Sequence, residues 1–173
     1  MNNKFVLVPV DLLKNLKELS KGTEYEDEVR KVLVSREAIE SHDVTKLPKS
    51  AVVKKVIDGD TVELFNGTVL RYVGITAPEE GEDFAEEATK LNQSLIEGKE
   101  IKLEYDNYTS DKFGRILAYP IVNGINVCIE LVLKGMAELV IYQKRKPFIY
   151  QVQLLEAQEK AKKNKLGIWS KNN

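Results

Sequence analysis

An α+β fold, a five-stranded β-barrel with about three helices and a helical extension ahead of it, is what this 173-residue sequence predicts. Three observations carry the prediction. Short strand-like segments from Ala51 onward are separated by tight-turn pairs, Asp58-Gly59 and Asn66-Gly67. A single helix-periodic segment, Phe84–Glu97, then interrupts the β pattern. Two more strands follow before the chain turns helical again, an order that suits a small barrel with helices at its end.

The elements follow in order. Leu12, Leu13, Leu16 and Leu19 recur at helical spacing, and Gly22 stops that first short helix. Thr23 and Glu26 form a capping-box pattern, opening a second helix with Tyr25, Val29, Val32, Leu33 and Ile39 on one side. Asp43 to Ser50, with Pro48, reads as a linker, so residues 1–50 form the extension and residues 51–173 the barrel domain. Ala51–Ile57, Thr61–Phe65 and Thr68–Ile75 are the first three strands. In Phe84–Glu97, Ala85, Ala88, Leu91 and Leu95 share a face, and Gly98 ends the helix. Lys99–Tyr105 and Phe113–Val122 alternate like strands, and Asn123-Gly124 turns the chain. Val127–Lys134 is a short apolar helix closed by Gly135, Met136–Tyr142 a last strand, and Val152–Lys165 a last helix.

Composition narrows the function. Apolar residues make up 43% and charged residues 31%, which excludes a disordered chain. A single cysteine, Cys128, excludes a disulfide scaffold and reads as a buried small hydrophobe. With one histidine, His42, neither a zinc site nor a Ser-His-Asp triad is available. No apolar run reaches the ~20 residues of a membrane-spanning helix, and no signal-peptide pattern stands at the start, so the expected location is cytoplasmic. The net charge is −1, but Lys134 to Asn173 carries nine basic residues against three acids. That basic third suits contact with phosphate, and it also suits an ordinary solvated helix.

The chemistry sits in three segments: Val56-Ile-Asp-Gly-Asp-Thr-Val62, Leu70-Arg-Tyr-Val-Gly-Ile-Thr-Ala-Pro-Glu79 and Asp111-Lys-Phe-Gly-Arg115. Asp58 and Asp60 flank a glycine at the head of a hairpin, which brings two carboxylates to one rim of the barrel. Such hard oxygen ligands suit Ca²⁺ or Mg²⁺. Arg71 lies in the third strand, Arg115 opens a later one, and Glu79 follows Pro78 on a stiffened loop. Two arginines to clamp phosphate oxygens, carboxylates for a metal and a glutamate to take a proton from water are the parts of phosphodiester hydrolysis. Each part alone has a simpler reading: Asp-Gly-Asp is a common turn, a strand arginine often serves a salt bridge, and Glu79 begins an acidic surface run.

The joint order of these motifs, closed by Lys165-Leu-Gly-Ile-Trp-Ser170, resembles the staphylococcal-nuclease (thermonuclease-like) family over about residues 51–170. The resemblance implies an OB-type barrel with three helices and a Ca²⁺-dependent endonuclease that acts on DNA and RNA and leaves 3′-phosphates. It implies Asp60 as a metal ligand, Arg71 and Arg115 on the scissile phosphate, and Glu79 as general base. Asp58 would support the metal from behind, the Ala77 carbonyl would coordinate it, and Lys112 would touch a neighbouring phosphate. One departure stands out. Where the family usually carries a second aspartate ligand, this chain has Thr76, a weaker donor for a hard dication, so the ion could equally be Mg²⁺ or Mn²⁺. Phe113 replaces a frequent tyrosine. Tyr142, Lys144 and Arg145, in a basic stretch with Tyr150, could stack on bases and hold the backbone of single-stranded nucleic acid. Two other readings remain: a barrel that grips nucleic acid without cutting it, and a component docked on a protein partner through residues 1–50.

Overall fold

The structure, a computed structural model, describes residues 14–15, 17–18, 21–22, 45–142 and 146–170. Its barrel is a ring of five strands. Strand β1 (Ser50–Val56) pairs antiparallel with β2 (Thr61–Leu64), and β2 with β3 (Val69–Tyr72). After the two-residue β4 (Ile75–Thr76) and helix α1 (Ala85–Ile96), β5 (Glu100–Glu104) returns to the free side of β1. Strand β6 (Ile116–Val122) pairs with β5 on one side and, in parallel, with β3 on the other, which closes the ring. The hairpin to β7 (Ile125–Asn126) turns through Asn123 and Gly124, both at positive φ, the geometry expected of an Asn-Gly pair. Helix α2 (Val127–Leu133), β8 (Glu138–Leu139), α3 (Gln151–Lys163) and a 3₁₀ turn (Gly167–Trp169) complete the described chain.

Alternation explains β5: Ile101 and Leu103 point into the core while Glu100, Lys102 and Glu104 face outward. Strand β1 breaks that period, burying Val53 and Val56, and a register shift between Val53 and Lys55 absorbs the extra residue. Val62, Leu64, Leu70, Ile116, Ala118 and Tyr119 fill the barrel, and Leu131, Leu154 and Ala157 join the helices to it. Cys128 is fully buried among them, and burial pushes its thiol well above the ordinary range.

Three expected strands come out shorter. The segment Thr68–Ile75 divides at Val73-Gly74, where Gly74 adopts φ +74° and a Cβ would lie 2.8 Å from the Phe148 ring. The bend lets Ile75–Thr76 leave the barrel and pair with β8. Residues 113–115 belong to a turn, because Asp111 caps the amides of Phe113 and Arg115 and holds them off the ladder. Of Met136–Tyr142, only Glu138–Leu139 pairs, since β4 offers just two residues to bond. Within the segment read as a linker, Leu47 is buried, Pro48 accepts a hydrogen bond from the Tyr105 hydroxyl, and Lys49 accepts one from the Leu103 amide. Residues 14–15 and 17–18 are helical and Gly22 has φ +73°; the expected second helix and His42 lie outside the described residues. Trp169 is half-buried, with Lys162 Nζ 4.8 Å from the centre of its ring.

Candidate active site

The hairpin between β1 and β2 delivers Asp60 to a closed corner, where it is 5% exposed. Its Oδ2 lies 2.9 Å from Arg71 Nη2 and accepts the Ala77 amide at 2.7 Å, while Oδ1 accepts the Thr61 hydroxyl at 3.0 Å. Asp58 Oδ1 accepts the Asp60 amide at 2.9 Å, an Asx turn at the head of the hairpin. Burial, the largest effect, raises the Asp60 carboxyl to about 6; Arg71 opposes the rise and Asp58 adds to it.

Arg71 is held through both terminal nitrogens of its guanidinium. Nη1 donates to the carbonyls of Tyr72 and Ile75 at 3.0 and 2.9 Å, and Nη2 reaches Thr76 Oγ1 at 3.5 Å besides Asp60. The bend after β3 makes this possible by folding the Ile75 carbonyl back over the side chain. Arg115 is held in the same manner by Asp111, Nε to Oδ2 at 2.7 Å. Its guanidinium carbon also lies 5.4 Å from the centre of the Phe113 ring, which Lys112 approaches to 5.0 Å.

Both arginines line one cavity of about 560 Å³, together with Lys112, Phe113, Tyr142 and Lys146. Phe113 and Tyr142 are 56% and 58% exposed, and the Phe113 ring carries Lys112 and Arg115 over it. Thr76, Ala77 and Glu79 line a second, acidic cavity with Glu82, Asp83 and Glu138. Glu79 is exposed and its amide donates to Glu82 Oε2 at 2.8 Å. Thr76 stands on the wall between the two cavities, facing the second and touching the arginine of the first. Lys144 and Arg145 lie outside the described residues.

Sequence reasoning assigned no role to Asp111, although its spacing four residues before Arg115 is the signal that would have found it. It also missed the tie on the cavity's far side. Asp106 Oδ2 accepts the amide of Ile149 at 2.8 Å, and the Tyr150 hydroxyl donates to Glu104. Tyr150 packs edge-on against Tyr119, with the ring centres 4.9 Å apart.

A divalent cation fits the chemistry of the corner. Asp60, Asp58, the Thr76 hydroxyl and the Ala77 carbonyl are all hard oxygen donors, and Asp60 is a buried carboxylate with Arg71 as its ion-pair partner. Among the described residues, however, no three His, Cys, Asp or Glu side chains converge as a metal cluster.

A closed five-stranded OB-type barrel that presents two tethered arginines in one cavity is the architecture of the staphylococcal-nuclease class. The profile described as staphylococcal nuclease homologue matches residues 69–171, and the chain belongs to that family. It is 35% identical over 129 residues to the SPbeta prophage-derived endonuclease YokF of Bacillus subtilis (strain 168), covering 68% of this chain and 43% of that protein. It is 34% identical over 134 residues to the endonuclease YncB of the same organism, 71% of this chain and 63% of that one. Against the thermonuclease of Staphylococcus intermedius the identity is 28% over 132 residues, 71% of this chain and 77% of the relative. The chain thus spans about half the length of the two Bacillus relatives. Among the described residues, no helix is long and apolar enough to cross a membrane.

Proposed function

We propose that this protein is a metal-dependent endonuclease that hydrolyses phosphodiester bonds of DNA or RNA, taken as single strands. The observation that carries the reading is the placement of Arg71 and Arg115 in one cavity, each already oriented by a carboxylate. Their planar forks match phosphate oxygens bidentately, and charge that builds on those oxygens in the transition state meets donors fixed beforehand. Glu79 takes a proton from the attacking water, whose oxygen bonds to phosphorus as the ester P–O bond breaks, and the departing alkoxide takes its proton from solvent. Asp60, with Asp58 behind it and the Thr76 hydroxyl and Ala77 carbonyl beside it, would hold the cation: Ca²⁺, or Mg²⁺ or Mn²⁺ if the missing carboxylate shifts the preference. When bound, such an ion supplies Lewis-acid polarisation of the phosphate. Lys112, Lys144 and Arg145 attract neighbouring phosphates, and Phe113 and Tyr142 stack on bases. The endonuclease and thermonuclease names of the relatives support the same reading.

A binding module that grips nucleic acid without cutting it is the second reading, favoured by Thr76 at the ligand position and by an Asp60 whose oxygens already have protein partners. Incubating the purified protein with single-stranded DNA and RNA in Ca²⁺, Mg²⁺ or Mn²⁺, with chelator as control, separates the two. Cleavage abolished by chelator supports the nuclease; retention without cleavage in every ion supports the binding module.

A further inference from the structure

Behind the Asp58–Asp60 turn lies a polar relay in an otherwise apolar interior. The Tyr72 hydroxyl, on β3, donates to Asn92 Oδ1 on α1 at 2.8 Å, and Asn92 Nδ2 donates to the Asp58 carbonyl at 3.0 Å. The two side chains are 2% and 0% exposed. Tyr72 also acts through its backbone, its amide donating to the Asp60 carbonyl at 3.0 Å. Ala88, one helical turn before Asn92, faces the same turn: a Cβ on Gly59 would lie 2.9 Å from the Ala88 Cβ and 2.4 Å from that of Ala77. The turn is therefore clamped between β3, α1 and the Thr76–Ala77 segment.

A phenol and an amide in this place carry a desolvation cost that a phenylalanine and a leucine would not, and an apolar pair would fill the same contact between barrel and helix. What the polar pair adds is a donor on the Asp58 carbonyl. We infer that Tyr72 and Asn92 are positioning residues, which fix the Asp58–Asp60 turn so that the Asp60 carboxylate meets Ala77, Arg71 and an incoming cation at one point. The inference rests on the role proposed above for Asp60 as metal ligand.

The decisive variant is Tyr72→Phe combined with Asn92→Leu, which removes both polar side-chain groups together and takes from the turn only the donor on the Asp58 carbonyl. Exchange of the backbone amides of Asp60 and Ala77, read by NMR, reports the turn directly, because they bond to Asp58 Oδ1 and Asp60 Oδ2. The expected result is exchange about tenfold faster at those two amides, the factor of one ordinary hydrogen bond, with Leu103 and Leu117 in the barrel unchanged. Ca²⁺ titrated by calorimetry should bind about tenfold more weakly, and turnover should fall while the Michaelis constant holds. Unchanged exchange at Asp60 and Ala77, or equal acceleration at Leu103 and Leu117, overturns the inference. Should the double variant not fold, Tyr72→Phe alone decides: about threefold acceleration at the same two amides is expected, and none there is fatal. A wild-type protein that neither binds a divalent cation nor cuts nucleic acid would sink the nuclease reading, while the exchange measurement still judges the clamp.

Discussion

Asp60 Oδ2 and Arg71 Nη2 stand 2.9 Å apart, the carboxylate buried and the arginine at the edge of the cavity. The pair joins the head of the first hairpin to the end of the third strand, so the group proposed to hold a cation and a group proposed to hold phosphate share one anchor. The strand salt bridge that the sequence offered as the simpler reading of Arg71 is present in the fold, and the same side chain lines the cavity.

Arginine variants should act on turnover. Arg71→Ala or Arg115→Ala is expected to cost ~3–4 kcal/mol of transition-state stabilisation, about a hundred- to thousand-fold in kcat. Asp111→Ala should cost less and in the same direction, because Arg115 loses its tether but keeps its charge. Neutralising Lys144, Arg145 and Lys146 together should instead raise the Michaelis constant and flatten the salt dependence. Steady-state kinetics on a single-stranded oligonucleotide distinguish the two classes.

Thr76→Asp should tighten divalent-ion binding. Its side chain reaches Arg71 at 3.5 Å beside Asp60, so a carboxylate there adds a charged donor at the corner. About tenfold tighter Ca²⁺ binding by calorimetry is the expected result, and unchanged affinity would place residue 76 outside the coordination sphere.

Stability should depend on pH through Asp60. Its folded carboxyl sits at about 6 against an ordinary 3.8, so the folded state binds more protons between those values. The contribution is present below about pH 4 and is lost as pH rises through 6, amounting to about 3 kcal/mol at most. Asp60→Asn lacks this dependence, so its stability relative to wild type should climb from pH 4 to pH 7 in urea denaturation. A difference independent of pH would contradict the raised carboxyl.

Gly135 and Gly167 pack backbone to backbone, and a Cβ on Gly167 would lie 2.1 Å from the Gly135 carbonyl oxygen. No side chain can swing aside to relieve that clash. Gly167→Ala should lower stability by about 2 kcal/mol or more, seen as a fall in Tm, through detachment of the Leu166–Trp169 turn from the end of α2.

Truncation should respect Leu47. A chain starting at Thr45 is expected to melt cooperatively like the full protein, whereas one starting at Ala51 loses Leu47 from the core. That loss, about 2–3 kcal/mol with the Pro48 and Lys49 hydrogen bonds besides, should appear as a clear drop in Tm. Equal Tm values for the two would show that the barrel ends at residue 51.

Local chemistry by itself determined the barrel's punctuation and the candidate residues. Asn123-Gly124 turns where it does because those two residues tolerate positive φ, β5 alternates because its two faces meet different media, and the Asp-Gly-Asp and Gly-Arg motifs are readable letter by letter. Tertiary structure alone decided how those residues meet. The split of Thr68–Ile75 depends on Phe148, seventy-four positions beyond Gly74, and it carries Thr76 out of the barrel to the wall between two cavities. The grip of Asp60 on Arg71, the tie of Asn92 to Asp58 and the burial of Leu47 are likewise contacts between segments remote in sequence. Periodicity reports which face of a segment is buried, but not which partner lies against it, and hydrogen bonds and ion pairs are properties of the partner.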